Sequence, residues 1–125
     1  MKYPYILLLK GGENSKNLYA ISDDKNRLTI PIFTDGIKCN KFIKKSIIRL
    51  TPTVIERDDH LLMLLQTIGP LTITRWIVIN PINHLCAEES GGECYQLNQI
   101  IANLKHKIKI KIDVRKVNLY GTFQR

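Results

Sequence analysis

The segment NPINHLCAEESGGEC, from Asn80 to Cys94, gathers more side chains able to do chemistry than any other stretch of the chain. His84, Cys86 and Cys94 form an H-x-C-x7-C pattern, with Glu88, Glu89 and Glu93 nearby. Imidazole and thiolate are zinc ligands, but structural zinc sites usually draw on two closely spaced ligand pairs, and only one is present. A cysteine near a helix start would gain thiolate character from the helix dipole, yet Glu93 beside Cys94 opposes it. A nucleophile also needs a base held against it, and the sequence does not fix His84 in that role. A buried, inert cysteine is the simpler expectation. The ESGGE run stands between a predicted strand and a predicted helix, where an anion can sit. It lacks the glycine spacing and closing lysine of a phosphate loop, and three glutamates would repel phosphate. The segment therefore reads as a long strand-to-helix connection. It could still carry a binding surface, as loops at strand carboxyl ends do. His60, His84 and His106 would be the acid–base groups of a small nuclease, but none has a partner at a telling spacing. No catalytic residue, metal or cofactor is expected.

The second chemical feature is positive charge. The 125-residue chain carries a net charge of +8. Lys38, Lys41, Lys44 and Lys45 share one helical arc, and Lys105, Lys107, Lys109, Lys111, Arg115 and Lys116 crowd the C-terminal region. Lys38, Lys41, Lys45, Lys107, Lys109, Lys111 and Arg115 are the candidate binding residues. Lysines can neutralise nucleic-acid phosphates. They also guard exposed strand edges against pairing. No aromatic residue interleaves with the C-terminal lysines, so a stacking platform for single strands is not indicated.

These groups must be positioned by the elements around them. The apolar run Tyr3–Leu9 suits a strand buried on both faces. Leu18–Ser22 and Arg27–Phe33 flank the polar turn Asp23–Asn26 and suggest a hairpin. Pro31 has no N–H for the ladder, so the third strand should be an edge there, or bulged, or paired only through its carbonyls. Thr34 or Asp35 should cap a helix over Gly36–Ser46, with Cys39, Phe42, Ile43 and Ile47 inward. Thr53–Arg57 reads as a fourth strand. Asp58 and Asp59 should cap an apolar helix ending at Gly69-Pro70 and well covered by other structure. Ile73–Asn80 is the clearest buried strand, and Cys94–His106 is helical by its leucine and isoleucine spacing. In the C-terminal region, Ile108, Ile110, Ile112 and Val114 alternate with Lys107, Lys109, Lys111, Asp113 and Arg115, the pattern of a half-buried strand. The order β-β-β-α-β-α-β-α-β implies an α/β (α+β) fold: one mixed sheet of five or six strands with three helices against it, in a single domain spanning 1–125.

Three cysteines, an odd and small number, argue against a disulfide framework and for a reducing compartment. The N-terminal apolar run is too short for a signal peptide, and no window reaches the ~20 apolar residues of a spanning helix. A cytoplasmic protein without membrane contact is expected.

Two short motifs point to a family. Pro31, Phe33 and Thr34 end a strand that leads into a helix, and Asn80-Pro81 ends a later buried strand. This pattern resembles the N-terminal domain of the SseB family, named for enhanced serine sensitivity, over roughly Leu18 to Leu97. The chain departs from it at Ile82-Asn83, where the family usually has a glycine. The resemblance implies an α/β fold and no catalytic mechanism. The expected function is a non-enzymatic adaptor or regulator that contacts another macromolecule. A protein partner comes first, and nucleic acid gripped by the lysine-rich helix and C-terminal strand comes second. The oligomeric state stays open, a homodimer included.

Overall fold

The computed structural model describes residues 3–12, 17–68 and 74–109. Among them run the strands β1 (Tyr5–Lys10), β2 (Ile21–Ser22), β3 (Arg27–Phe33), β4 (Leu50–Ile55), β5 (Thr74–Ile79) and β6 (Glu93–Gln96). The helices are α1 (Gly36–Lys44), α2 (Asp58–Gln66) and α3 (97–109). The six strands form one mixed sheet in the order β4-β1-β3-β5-β6, with β2 on β3. Only the β3–β5 pair is parallel. The expected α+β architecture is the observed one.

Alternating residues of each strand point to opposite faces. On one face, Tyr5, Leu7, Ile30, Ile32, Ile77 and Ile79 meet Leu61 and Leu65 of α2 and Leu97, Ile100 and Leu104 of α3. On the other, Leu8 and Phe33 meet Cys39 and Phe42 of α1. β1 is thus buried on both sides, as its unbroken apolar run requires: Leu7 and Leu8 are both fully buried.

Pro31 lies inside the sheet, not on an edge. β1 pairs with Ile32 and Phe33, β2 pairs with Leu28 and Thr29, and Pro31 falls between the two neighbours. Continued by register, Leu8 would stand opposite Pro31 and find no N–H. Its carbonyl accepts the N–H of Tyr19 instead, at 2.7 Å. The parallel partner β5 pairs with β3 along its whole length.

Several boundaries differ from expectation. Asp35 is the α1 cap and accepts from the N–H groups of Ile37 and Lys38, but α1 stops at Lys44 and Ile47 is fully exposed. The N-cap of α2 is Arg57, with Asp58 and Asp59 in the first turn, where their charge suits the dipole. Asp58 is buried and accepts the Tyr3 hydroxyl, tying the start of the chain to α2. Among the described residues, Leu61 and Leu65 of α2 are buried, Leu62 and Leu64 are half-buried against the same core, and Met63 is exposed. Gly69-Pro70 lies outside the described residues.

Two corrections bear on function. Cys94 does not begin a helix. Glu93–Gln96 form β6 antiparallel to β5, with Cys94 opposite Val78, and the helix begins at 97. The chemically rich segment is therefore a long strand-to-strand connection, turned back by Gly91-Gly92. Gly91 has φ +81, and a Cβ on Gly92 would stand 2.4 Å from the Ile79 carbonyl, so both positions need glycine. Nor does the expected C-terminal strand begin at Lys107. Lys107, Ile108 and Lys109 continue α3. Ile108 falls on the same helical stripe as Leu97 and Leu104, and extending a formed helix is easier than starting a new element. Two periodicities overlap here, and the helical one prevails through 109. Lys111, Arg115 and Lys116 lie outside the described residues.

Candidate binding site

The connection from Asn80 to Gly92 covers the part of the α1 face that α1 leaves open. The Ala87 N–H donates to Thr29 Oγ1 at 2.8 Å, and a 3-10 turn, Ala87–Ser90, settles over β3 and β5. Cys86 and Ser90 are buried beneath it. Cys86 donates its thiol to the Ile21 carbonyl, 3.3 Å away. Burial pushes the Cys86 thiol up, and also that of Cys94, where the charge of Glu88 adds to it. Both shifts run against a thiolate nucleophile. Burial likewise pushes the Cys39 thiol under α1 up to about 11.

His84 works as a latch. Its ring stacks on Phe42 with centroids 3.7 Å apart. Nε2 faces the Phe42 carbonyl at 2.9 Å. A carbonyl oxygen only accepts, so Nε2 carries the proton. In the neutral ring Nδ1 then accepts from the Tyr19 hydroxyl, at 2.9 Å. Both ring nitrogens are thus engaged in fastening the connection to α1 and to the segment before β2. His60 and His106 stand on α2 and α3, on the other face of the sheet.

The glutamates are spread out. Arg27 Nη2 reaches Glu89 at 2.9 Å and Asp23 at 2.7 Å, linking the connection to the β2–β3 hairpin. Hydrogen bonding from Arg27 and the charge of Lys25 hold the Glu89 carboxyl below its usual range. Glu93 accepts from the Tyr95 hydroxyl. Among the described residues, no group of three or more His, Cys, Asp and Glu side chains is placed to hold a metal ion. His84, Cys86 and Cys94 each face a different neighbour.

The two strand-end motifs do meet. β3 and β5 are parallel neighbours, so Thr34 and Asn80 leave the sheet side by side. The Thr34 N–H donates to Asn80 Oδ1 at 3.0 Å, and Asn80 Nδ2 donates to Thr34 Oγ1 at 2.9 Å. Asn80 adopts φ 53, a left-handed conformation that asparagine tolerates better than most residues. Phe33 is buried beneath α1, and Pro31 and Pro81 are buried as well. From this clasp the chain departs in two directions, through α1 toward β4 at one edge and through the connection toward β6 at the other. Such a divergence opens a crevice at the strand carboxyl ends, the usual ligand position in sheets of this kind.

A cleft of about 420 Å³ occupies that position. Lys38, Lys41 and Phe42 of α1 and Lys45, its C-cap, line one wall, and Asn80, Pro81, Ile82 and Gly91 line the other. The lysines lie three and seven residues apart, along one side of the helix. Lys45 Nζ donates across the cleft to the Ile82 carbonyl at 2.9 Å and ties the walls together. Lys38 and Lys41 are exposed and make no ion pair among the described residues. Three expected binding residues therefore converge with two motif residues. Lys107 and Lys109 do not join them: α3 packs on the opposite face of the sheet from α1.

No protein-family model, curated protein or solved structure matches the chain.

The sequence reading missed the clasp, the latch and the Lys45 tie. The clasp had a signal. Both motifs end strands, and two strands joined in parallel bring their ends together. The latch had none, because nothing in the spacing of Tyr19, Phe42 and His84 marks them as neighbours. Among the described residues, no helix is long and apolar enough to cross a membrane.

Proposed function

We propose that this protein is a non-enzymatic adaptor or regulator that holds an acidic segment of another protein in the cleft between α1 and the Asn80–Gly91 segment. The observation that carries the reading is the lining itself: every charged side chain in it is a lysine, and the remainder is largely apolar. A short peptide with carboxylates and apolar side chains complements both parts. Kinship with the SseB family belongs to the same proposal and rests on the Thr34 and Asn80 motifs. The free thiols of Cys39, Cys86 and Cys94 suit a cytoplasmic setting.

Nucleic acid is the weaker reading. Net charge favours it, but the lysines of α1 and those of α3 lie on opposite faces, whereas a phosphate backbone asks for a continuous basic surface. The cleft lining also contains no arginine and no exposed aromatic ring to read or stack a base.

Fluorescence anisotropy tests the choice. A labelled peptide of alternating glutamate and leucine should bind, and its glutamine counterpart should not. Reversing Lys38 and Lys41 to glutamate should weaken binding at least about tenfold, since each exposed pair contributes up to ~1 kcal/mol. Binding of duplex or single-stranded oligonucleotides in preference to the acidic peptide would overturn the proposal.

A further inference from the structure

We infer that the cleft takes a doubly charged oxyanion, a phosphate monoester carried on a side chain of the bound segment. The inference rests on the function proposed above and narrows its ligand.

Lys38 and Lys41 each present an ammonium group unpaired among the described residues, and Lys45 keeps two N–H bonds beyond the one given to Ile82. Asn80 Nδ2 spends one N–H on Thr34 and keeps the other. These are point-charge and single-bond donors. The planar fork of arginine, which matches a carboxylate, is missing from the lining. A phosphate monoester carries nearly two charges at neutral pH and offers three acceptor oxygens, so it uses more of this set than one carboxylate can.

The charge balance also favours it. The sequence placed three glutamates beside this segment, and they argued against phosphate. In the fold none of the three lines the cleft. Glu89 is held by Arg27, Glu93 accepts from Tyr95, and Glu88 stands exposed on the 3-10 turn. Phe42, Pro81 and Ile82 give the cleft an apolar part that suits the carbon chain bearing the phosphate. A cleft of about 420 Å³ has room for such a side chain and its peptide neighbours.

The test uses one peptide sequence carrying serine, glutamate or phosphoserine at its centre, titrated calorimetrically into the full chain. The phosphoserine form should bind about tenfold more tightly than the glutamate form, the effect of one added charge facing two ammonium groups. Its affinity should rise as pH passes about 6, where the phosphate takes its second charge. Lys38→Ala and Lys41→Ala should each remove most of that preference. Lys44→Ala, on α1 but outside the cleft, should leave it intact. Equal binding of the glutamate and phosphoserine forms would overturn the inference and leave the proposed function standing. Binding of none of the three would overturn both. Glycerol phosphate competing as strongly as the phosphopeptide would assign the site to a free phosphate monoester and overturn the peptide-borne source.

Discussion

One face of the sheet is covered by two helices and is mostly apolar, although the buried Asp58 of α2 accepts the Tyr3 hydroxyl there; the other is covered by one helix and a folded connection, and it holds more of the buried polar groups. On the first, Leu61, Leu65, Leu97, Ile100 and Leu104 close over Leu7, Ile30, Ile32, Ile77 and Ile79. On the second, Thr29, Cys86 and Ser90 are buried, His84 is latched between Tyr19 and Phe42, and a lysine-lined cleft remains where α1 and the connection part. The difference shows how the fold divides its work. A helix satisfies most of its own backbone, so helices can seal a face largely with apolar side chains. A connection cannot, and must place side-chain donors and acceptors under itself: Thr29 for the Ala87 N–H, Ser90 for the Ala87 carbonyl, Asn83 for the Leu85 N–H. That requirement is what makes one face polar enough to carry a site.

The contrast can be broken at its strongest point first. Leu65→Ala, in the aliphatic layer, should cost about 2–5 kcal/mol in a denaturation experiment, the range for a leucine fully enclosed by other side chains. A loss below ~0.5 kcal/mol, the scale of a surface change, would remove α2 from the core. The clasp on the other face should matter less. Asn80→Ala should cost about 1–2 kcal/mol, because alanine resists the left-handed backbone at this position and the hydrogen bonds to Thr34 are lost. Asn80→Gly should recover part of it by relaxing the backbone. The smallest effect sharpens the comparison most. A double-mutant cycle between Thr34→Ala and Asn80→Gly should give a coupling of about 0.5–1 kcal/mol, and zero coupling would make the two motifs independent strand ends.

The fold was legible wherever one periodicity stood alone. The apolar run of β1, the β2–β3 hairpin and the leucines of α2 all read directly, because burial on one or two faces leaves an unambiguous pattern. It was illegible where two patterns overlapped. From Lys107 to Lys109 an alternating strand pattern and a helical stripe share the same isoleucine, and only the packing of Leu104 and its neighbours decides between them. Cys94 and Tyr95 failed for another reason. They form a strand because Gly91 and Gly92 fold the chain back against β5, a tertiary cause that local spacing does not record. The site was half visible. Lys38, Lys41 and Lys45 could be placed on one helical side from sequence, and Asn80-Pro81 at a strand end. Their convergence depends on β3 and β5 being parallel neighbours, which is a property of the whole sheet.

We propose that binding belongs to the cleft on the α1 face and not to basic surface in general. Amide chemical-shift mapping with the alternating glutamate–leucine peptide tests it most directly. Shifts confined to Lys38, Lys41, Lys45, Asn80, Ile82 and Gly91, with the amides of 105–109 unmoved, are the result expected. Shifts centred on 105–109, or spread evenly over all exposed lysines, would contradict it.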